Sequence, residues 1–452
     1  MTQDLNTTAS STVEQPPLGA GGLKRLSLRK NFAWTFSGAI IYALCQWGML
    51  TVMAKIGTPV IVGQFALGMA LSAPVVLFAG LQLRNIQATD AIDVYQFGDY
   101  LGLRLITTLL AFFVIAAIAV LSGYTGNTLA VILIIGLSKS VEGISEQFFG
   151  LLQRHERMDR AAMRMIVKGI LALTMLTVLL LVTQDIVIAV LGLLAANIIS
   201  LLAFDIPSGL LVLHNELPQQ GQTRQWLHVL RPRWELGAMK SLALLALPLG
   251  FATMLTSLNA NLPRYFVERF LGEYELGIFA ALAYIVVAGA TVVNALGLTI
   301  SPRLARFYAD RNVAMYTRLL VQALVVAAAC GIGGILLALL GGRFLLSFIY
   351  QPEYSTRVDV FMILMVAAAF QYIASFLNYG MTAARQIKIQ LPLFVGLTLA
   401  TLLLSLGLIP VAGLQGAAIV IIGTSAAQAV VSAIILVRAI QKLKYPRVQN
   451  AL

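Results

Sequence analysis

The sequence predicts an all-α polytopic membrane protein, with about twelve transmembrane helices in two six-helix lobes. Three observations predict it. First, 59% of the 452 residues are hydrophobic and only 11% are charged, against roughly 25% charged in an ordinary soluble domain. Second, apolar runs of membrane length recur along the chain. Third, the basic residues fall overwhelmingly on one side of those runs. A mean hydropathy of +0.87 leaves too little polar surface to cover a soluble core. The same figures exclude a disordered chain, a coiled coil and a disulfide scaffold. Twelve helices of about 20 residues fit the length, with room for short loops and tails.

Taken in order, residues 1–30 read as a flexible tail. Residues 1–22 are rich in Ser, Thr, Gly and Gln, contain Pro16-Pro17, and carry too little apolar surface to order themselves. They lack the basic start of a secretory signal. Lys24, Arg25, Arg29 and Lys30 then precede the first apolar run. The predicted spans of the first lobe (31–214) are 32–54, 60–83, 105–122, 128–150, 162–183 and 186–204. Trp34 and Trp47 sit towards the ends of the first, where interfacial indoles are favoured. The apolar segment 206–213 reads as an interfacial helix, and 215–240 as a connecting loop. The second lobe (241–437) supplies 241–262, 276–298, 319–341, 358–380, 391–409 and 413–437. Residues 438–452 form a basic tail, whose Lys442, Lys444 and Arg447 suit anionic lipid headgroups.

With the N-terminus placed in the cytoplasm, 25 of the 31 Lys and Arg lie on the inner side and five on the outer, and Lys139 lies within a span. Cytoplasmic loops collect Lys and Arg. Both termini therefore read as cytoplasmic, with an even number of spans in a bacterial inner membrane. The same bias accounts for the net charge of +12 without nucleic acid as a partner.

An internal repeat runs at an offset of about 214 residues. Gly57 to Ala66 reads GTPVIVGQFA and Gly272 to Ala280 reads GEYELGIFA. Gly80-Leu81-Gln82-Leu83-Arg84 answers Gly297-Leu298-Thr299-Ile300 with Arg303 close behind, and Arg104-Leu105 answers Arg318-Leu319. Six spans per half is even, so both halves enter the membrane in the same sense. That is a parallel repeat, of the kind that binds substrate between halves and rocks them for alternating access.

No enzyme constellation is present. There is no nucleotide-binding loop and no large polar domain. Cys45 and Cys330 lie in apolar runs with no metal spacing, and His155, His214 and His228 are scattered near charged loops. No cofactor or metal is expected.

The candidate site residues are few. Lys139 lies mid-span, with Glu142 at i+3 and Glu146 at i+7 on one helical face within about 60°. A charge at that depth is costly and faces protein or a water-filled cavity. Two readings stand: an internal Lys–Glu pairing that aids packing, or a cation that meets an anionic headgroup beside carboxylates that bind or tune ions. Arg84 closes the second span, as a topology anchor or a substrate contact. Arg264 lies on the less basic side, either paired with Glu268 at i+4 or contacting substrate. Pro74 and Pro248 remove backbone donors within spans, as static kinks or as hinges. Many of the 37 glycines lie inside spans and permit close helix approach.

Three stretches carry a resemblance: Gly63 to Asp90 (GQFALGMALSAPVVLFAGLQLRNIQATD), Gly150 to Asp159 (GLLQRHERMD) and Asn261 to Gly289 (NLPRYFVERFLGEYELGIFAALAYIVVAG). They resemble the bacterial polysaccharide-transporter (Wzx-like flippase) branch of the multidrug/oligosaccharidyl-lipid/polysaccharide (MOP) exporter superfamily, over about residues 30–440. The resemblance implies two six-helix lobes forming a V around a central cavity. It implies flipping of a polyprenyl-diphosphate-linked oligosaccharide for O-antigen, capsule or exopolysaccharide assembly, with the diphosphate drawn to basic residues, here Arg84, Lys139 and Arg264. The partners expected are that lipid-linked substrate, the bilayer, and polysaccharide polymerase or assembly proteins. Drug-exporting relatives couple to cations through membrane carboxylates. Residues 32–54 contain no Asp or Glu, which departs from that pattern and disfavours a cation-coupled drug or metabolite antiporter. A membrane polymerase or ligase would be expected to carry a large outer loop, and the outer loops here are short. A scaffold in a glycan-assembly complex would use the long 214–240 connection as its docking element.

Overall fold

The computed structural model describes residues 28–90, 94–214 and 230–444. The predicted tail before residue 28, most of the 215–240 connection with His228, and Arg447 lie outside the described residues. Among those residues the chain is helical, without a strand. The first half holds α1 (Leu28–Ile56), α2 (Pro59–Gly80), the short α3 (Leu83–Thr89), α4 (Phe97–Leu121), α5 (Gly126–Arg154), α6 (Met158–Thr183), α7 (Ile186–Ser200) and α8 (Ile206–His214). The second holds α9 (Leu236–Ala309), α10 (Val313–Ile349), the one-turn α11 (Pro352–Ser355), α12 (Val358–Ala383) and α13 (Ile387–Lys444).

Ten described helices are long and apolar enough to cross a membrane, and two of them each supply two crossings, which makes twelve among the described residues. At 1.5 Å per residue, the 74 residues of α9 would reach about 110 Å, against a hydrocarbon core of about 30 Å. The helix breaks at Gly272, where φ is +86°, a conformation that side chains resist. Residues 260 and 264 before the break share a cavity wall with 283 and 287 after it, so the two limbs run side by side as a hairpin. The 58-residue α13 breaks likewise at Gly413, φ +58°, and Gly423 packs beside Leu404. Each half therefore crosses six times, in two six-helix lobes as the sequence predicts.

Two boundary expectations are corrected. Residues 206–213 are not a separate interfacial helix. They continue the sixth crossing through a π-helical turn at Leu201–Asp205. Pro207 has no N–H to offer the Ala203 carbonyl, and the chain widens by one residue, with the Ile206 N–H bonding the Leu201 carbonyl. Val212 and Leu213 then pack with Phe148 and Leu152 in a buried cluster. The seventh crossing is also longer than predicted. It starts at Leu236 and runs past Pro263 to Gly272, so Arg264 lies within it and not beyond its end at residue 262.

The halves meet where α2 runs antiparallel to the first limb of α9. α2 starts where Thr58 caps the Ile61 N–H and Pro59 fills the first helical position, both favoured N-terminal choices. It ends where Leu81 and Gln82 take left-handed φ of 50° and 52°, which turns α3 aside. Along the seam Val62, Phe65 and Ala66 share one buried core with Leu276, Phe279 and Ala280. The two copies of the repeat thus pack on each other. The turns at Gly57, Gly272 and 350–357 gather at one end of the molecule: Lys55 donates to the Tyr350 carbonyl at 3.0 Å, Gln351 to that of Gly57 at 3.0 Å, and Arg357 to Glu275 at 2.6 Å. At the other, basic end the Arg233 N–H bonds the Gly98 carbonyl at 2.9 Å, and Tyr95 meets Ser241 at 3.0 Å.

Pro74 has a consequence at mid-seam. Its missing N–H leaves the carbonyl of Ala70, four residues earlier, without a helical donor. The Tyr265 hydroxyl of α9 supplies one at 2.5 Å. A single hydrogen bond contributes about 1 kcal/mol. Tyr265→Phe is therefore expected to lower the thermal midpoint of the purified protein by about 1 °C. Pro74→Ala restores the helical donor, so Tyr265→Phe added to it should cost clearly less. Equal costs in both backgrounds would refute this coupling.

Candidate functional site

The buried chemistry of the first half is built on α5, which carries a face of small and polar residues. Lys139 and Glu142 pair as the spacing predicts, Nζ donating to Oε2 at 2.7 Å. The pair is not closed. Lys168 of α6 donates to the other oxygen of Glu142 at 2.6 Å, and Tyr42 of α1 donates to it at 3.3 Å. One turn further on, Glu146 lies between Arg84 of α3 at 2.9 Å and Arg164 of α6 at 3.4 Å. Arg164 also lies 2.8 Å from Asp205, whose second oxygen accepts from Ser145 at 2.6 Å. Arg164 is 3% exposed and Asp205 0%. The π-helical turn thus places a carboxylate in the lobe interior, a common association of such turns with functional sites. The Arg84 guanidinium rests 3.8 Å over the Phe149 ring, a cation–π contact.

Arg104 of α4 completes the group. It is 5% exposed, and its Nε donates to the Gly143 carbonyl at 2.7 Å. Among the described residues no carboxylate lies within ion-pair distance. Its guanidinium occupies space that only glycine leaves: a Cβ at Gly143 would lie 2.7 Å from Nη2, and one at Gly80 2.9 Å from Nη1. Arg84, Arg104, Lys139, Glu142 and Glu146 line a cavity of about 480 Å³ beside α2. Five buried or half-buried cations (Arg84, Arg104, Lys139, Arg164, Lys168) face three carboxylates (Glu142, Glu146, Asp205), which leaves a formal charge of +2.

Across the seam Arg264 lines a second cavity, of about 350 Å³, within the other half. It is not paired with Glu268. Its Nη1 donates to Asn261 at 2.9 Å, while Glu268 accepts from Tyr124 at 2.7 Å. Pro74 and Pro248 sit in helices that continue through them, with no break in the backbone at either.

Sequence reasoning missed Arg104, Arg164, Lys168 and Asp205. For α6 a signal existed. Arg164 and Lys168 extend the i, i+4 row of Ala172, Leu176 and Leu180, all buried, and a charge on that row points inward. Arg104 likewise heads a buried row, Thr108, Ala111, Ile115 and Ala119, but the faces beside that row are as apolar as the row itself, so the sequence does not mark which one turns inward.

Residues 28–308 match the family described as "Polysaccharide biosynthesis protein". The chain is 27% identical over 392 residues to the capsular polysaccharide biosynthesis protein CapF of Staphylococcus aureus, covering 87% of this chain and 95% of that one. Among solved structures it is similar to a MOP superfamily transporter from Pyrococcus furiosus, described as having a binding pocket of reverse polarity that suggests a different function. That likeness has a TM-score of 0.62 and 15% identity over 93% of this chain and 97% of that one. An inward-facing multidrug resistance MATE transporter is similar at a TM-score of 0.60 and 15% identity over 94% and 97%. At that identity the structures show a shared fold and nothing more. The family match spans more than half of the residues, and the chain belongs to the polysaccharide biosynthesis protein family.

Proposed function

We propose that this multi-pass membrane protein flips polyprenyl-diphosphate-linked oligosaccharide units across the bacterial inner membrane, for O-antigen, capsule or exopolysaccharide assembly. The observation that carries the reading is the sign of the interior. Each carboxylate in the first-half cavity already faces two cations, and Arg104 and Arg264 have no carboxylate of their own. A cationic drug would meet repulsion there, whereas a diphosphate meets Arg84, Arg104 and Lys139 on one wall. A sugar headgroup cannot cross about 30 Å of hydrocarbon unaided. A polar route between two lobes lowers that barrier, while the polyprenyl tail stays in lipid. No bond is made or broken, so the protein acts as a carrier and not as an enzyme. The basic end faces the cytoplasm, and Pro74 and Pro248 are the hinge candidates.

Deletion followed by lipid analysis tests the function. Intact lipid-linked units should accumulate on the inner leaflet. Loss of the linked sugar would indicate an enzyme, and normal surface glycan would reject the flippase reading. For the site, Lys139→Ala and Arg264→Ala are expected to cut glycan export without lowering protein abundance. Lys139→Ala leaves Glu142 paired with Lys168, and Arg264→Ala breaks only the Asn261 contact. A lost charge-assisted hydrogen bond costs roughly 1.5–3 kcal/mol, or about tenfold to a hundredfold in affinity. Wild-type export by both variants would remove the cationic assignment.

A further inference from the structure

The two halves present different chemistry to the substrate. The first-half cavity has three cations and two carboxylates on its wall. The second-half cavity has one cation, Arg264, and no carboxylate, and is otherwise lined by neutral polar groups. Five of these are side-chain amides: Asn259, Asn294, Gln371, Asn378 and Gln428. Asn259 accepts from Thr401. The amides of the other four make no hydrogen bond to any described residue, although they come from three separate helices, α9, α12 and α13. Polar groups inside a membrane protein are costly unless they find partners. The four amides are half-buried (Asn378, Gln428) or exposed (Asn294, Gln371), and their convergence on the wall of a single cavity suits a ligand that supplies both donors and acceptors at many positions. The 350 Å³ volume is within the range of small-molecule pockets, about 300–1,000 Å³.

A polyol fits that description and a phosphate does not. Phosphate attracts clustered cations, and those lie in the other half. Side-chain amides match the alternating donor and acceptor character of sugar hydroxyls. The single guanidinium, with its planar fork, matches one planar carboxylate in two parallel hydrogen bonds. Resting on the flippase reading above, we propose that the second-half cavity is the saccharide subsite, and that it favours a repeat unit carrying an acidic sugar whose carboxylate docks on Arg264. The diphosphate then stays with the first-half cations. The headgroup bridges the two halves, which gives the carrier a reason to respond to a complete unit and not to the lipid diphosphate alone.

The test uses the full-length protein purified in detergent and three probes: a glucuronosyl-glucose disaccharide, the neutral glucosyl-glucose disaccharide, and inorganic pyrophosphate. Binding is followed by titration calorimetry or thermal shift. The acidic disaccharide should bind at least tenfold more tightly than the neutral one. Arg264→Gln should erase that difference, and Arg264→Lys should restore only part of it, because the charge returns without the fork. Unchanged elution and thermal midpoint of the two variants show that they are folded. Pyrophosphate should leave acidic-disaccharide binding in place. Displacement by pyrophosphate would make Arg264 part of the phosphate site and overturn the proposal. Equal binding of the two disaccharides, or binding of neither, would overturn it as well. Pyrophosphate binding that depends on Arg84 and Lys139 is a separate result, and it judges the flippase reading independently.

Discussion

Alanine at Gly277 is expected to force the two halves apart at the turn end and to abolish most transport. The added Cβ would lie 1.8 Å from the Pro59 carbonyl oxygen and 2.9 Å from the Gly63 nitrogen. Both obstacles are backbone, so no side-chain rotation relieves the clash. Gly63 mirrors the situation: its Cβ would lie 1.9 Å from the Glu273 carbonyl oxygen. The crossing is secured by Gln64, which donates to Glu273 at 2.9 Å, and by Thr128, which donates to the same carboxylate. Overpacking costs about 1–3 kcal/mol. In a carrier that alternates, this end must also be able to open, so the strain has an outlet short of unfolding. The result is a shift of about tenfold to a hundredfold towards the form open at the turn end. The measurement is labelling of Gln64→Cys by an impermeant thiol reagent, with Cys45 and Cys330 replaced by Ser. Gln64 is buried in the closed crossing, so labelling should be slow. It should accelerate at least tenfold in the Gly277→Ala background, and Gly63→Ala should have the same effect. Unaltered labelling in both would mean that the crossing is not a moving contact.

The difference between what the sequence displayed and what it concealed has a physical cause. Membrane-length apolar runs and the 214-residue repeat are one-dimensional signals, so the twelve crossings and two halves were readable. The repeat motif was readable too, but not its use: Gly63 and Gly277 are matching positions in two segments, and only the fold reveals that they touch. Counting basic residues by side treats a charge near a helix end as a loop charge. Arg104, Arg164 and Lys168 lie within two to three turns of a helix start, and all three point into the lobe. Arg264 was placed outside its span because the predicted span closed at residue 262, just before Pro263. A proline removes one donor and one steric position, and here the helix continues past it to Gly272. Asp205 was hidden for the opposite reason. An inward carboxylate near the end of an apolar run gives no sign of the π-helical turn that aims it.

Glu142→Ala is expected to reduce the folded, detergent-extractable protein several-fold, whereas Lys139→Ala is tolerated. The asymmetry follows from the pairing. Glu142 is the acceptor for Lys139 at 2.7 Å and Lys168 at 2.6 Å, and Lys168 is only 8% exposed. Removing the carboxylate leaves two ammonium groups facing each other in the lobe interior, and Glu146 is already engaged by Arg84 and Arg164. Breaking a buried ion pair from one side costs about 3–5 kcal/mol. Removing Lys139 leaves the Glu142–Lys168 pair intact. If the loss comes from uncompensated charge, taking out the orphaned ammonium as well should recover it. Glu142→Ala combined with Lys168→Met should therefore return most of the protein, by more than the two single effects predict together. The same variants separate the two roles open to Glu142. A carboxylate that only neutralises its neighbours yields a double variant with near-normal abundance and measurable glycan export. If instead the carboxylate carries a coupling ion, Glu142→Ala alone should be made in normal amounts and fail only in export. Abundance by quantitative blotting and export by surface-glycan assay distinguish these outcomes. The ion-pair geometry favours the first, because a carboxylate held by two lysines and a tyrosine hydroxyl has no free face left for an ion.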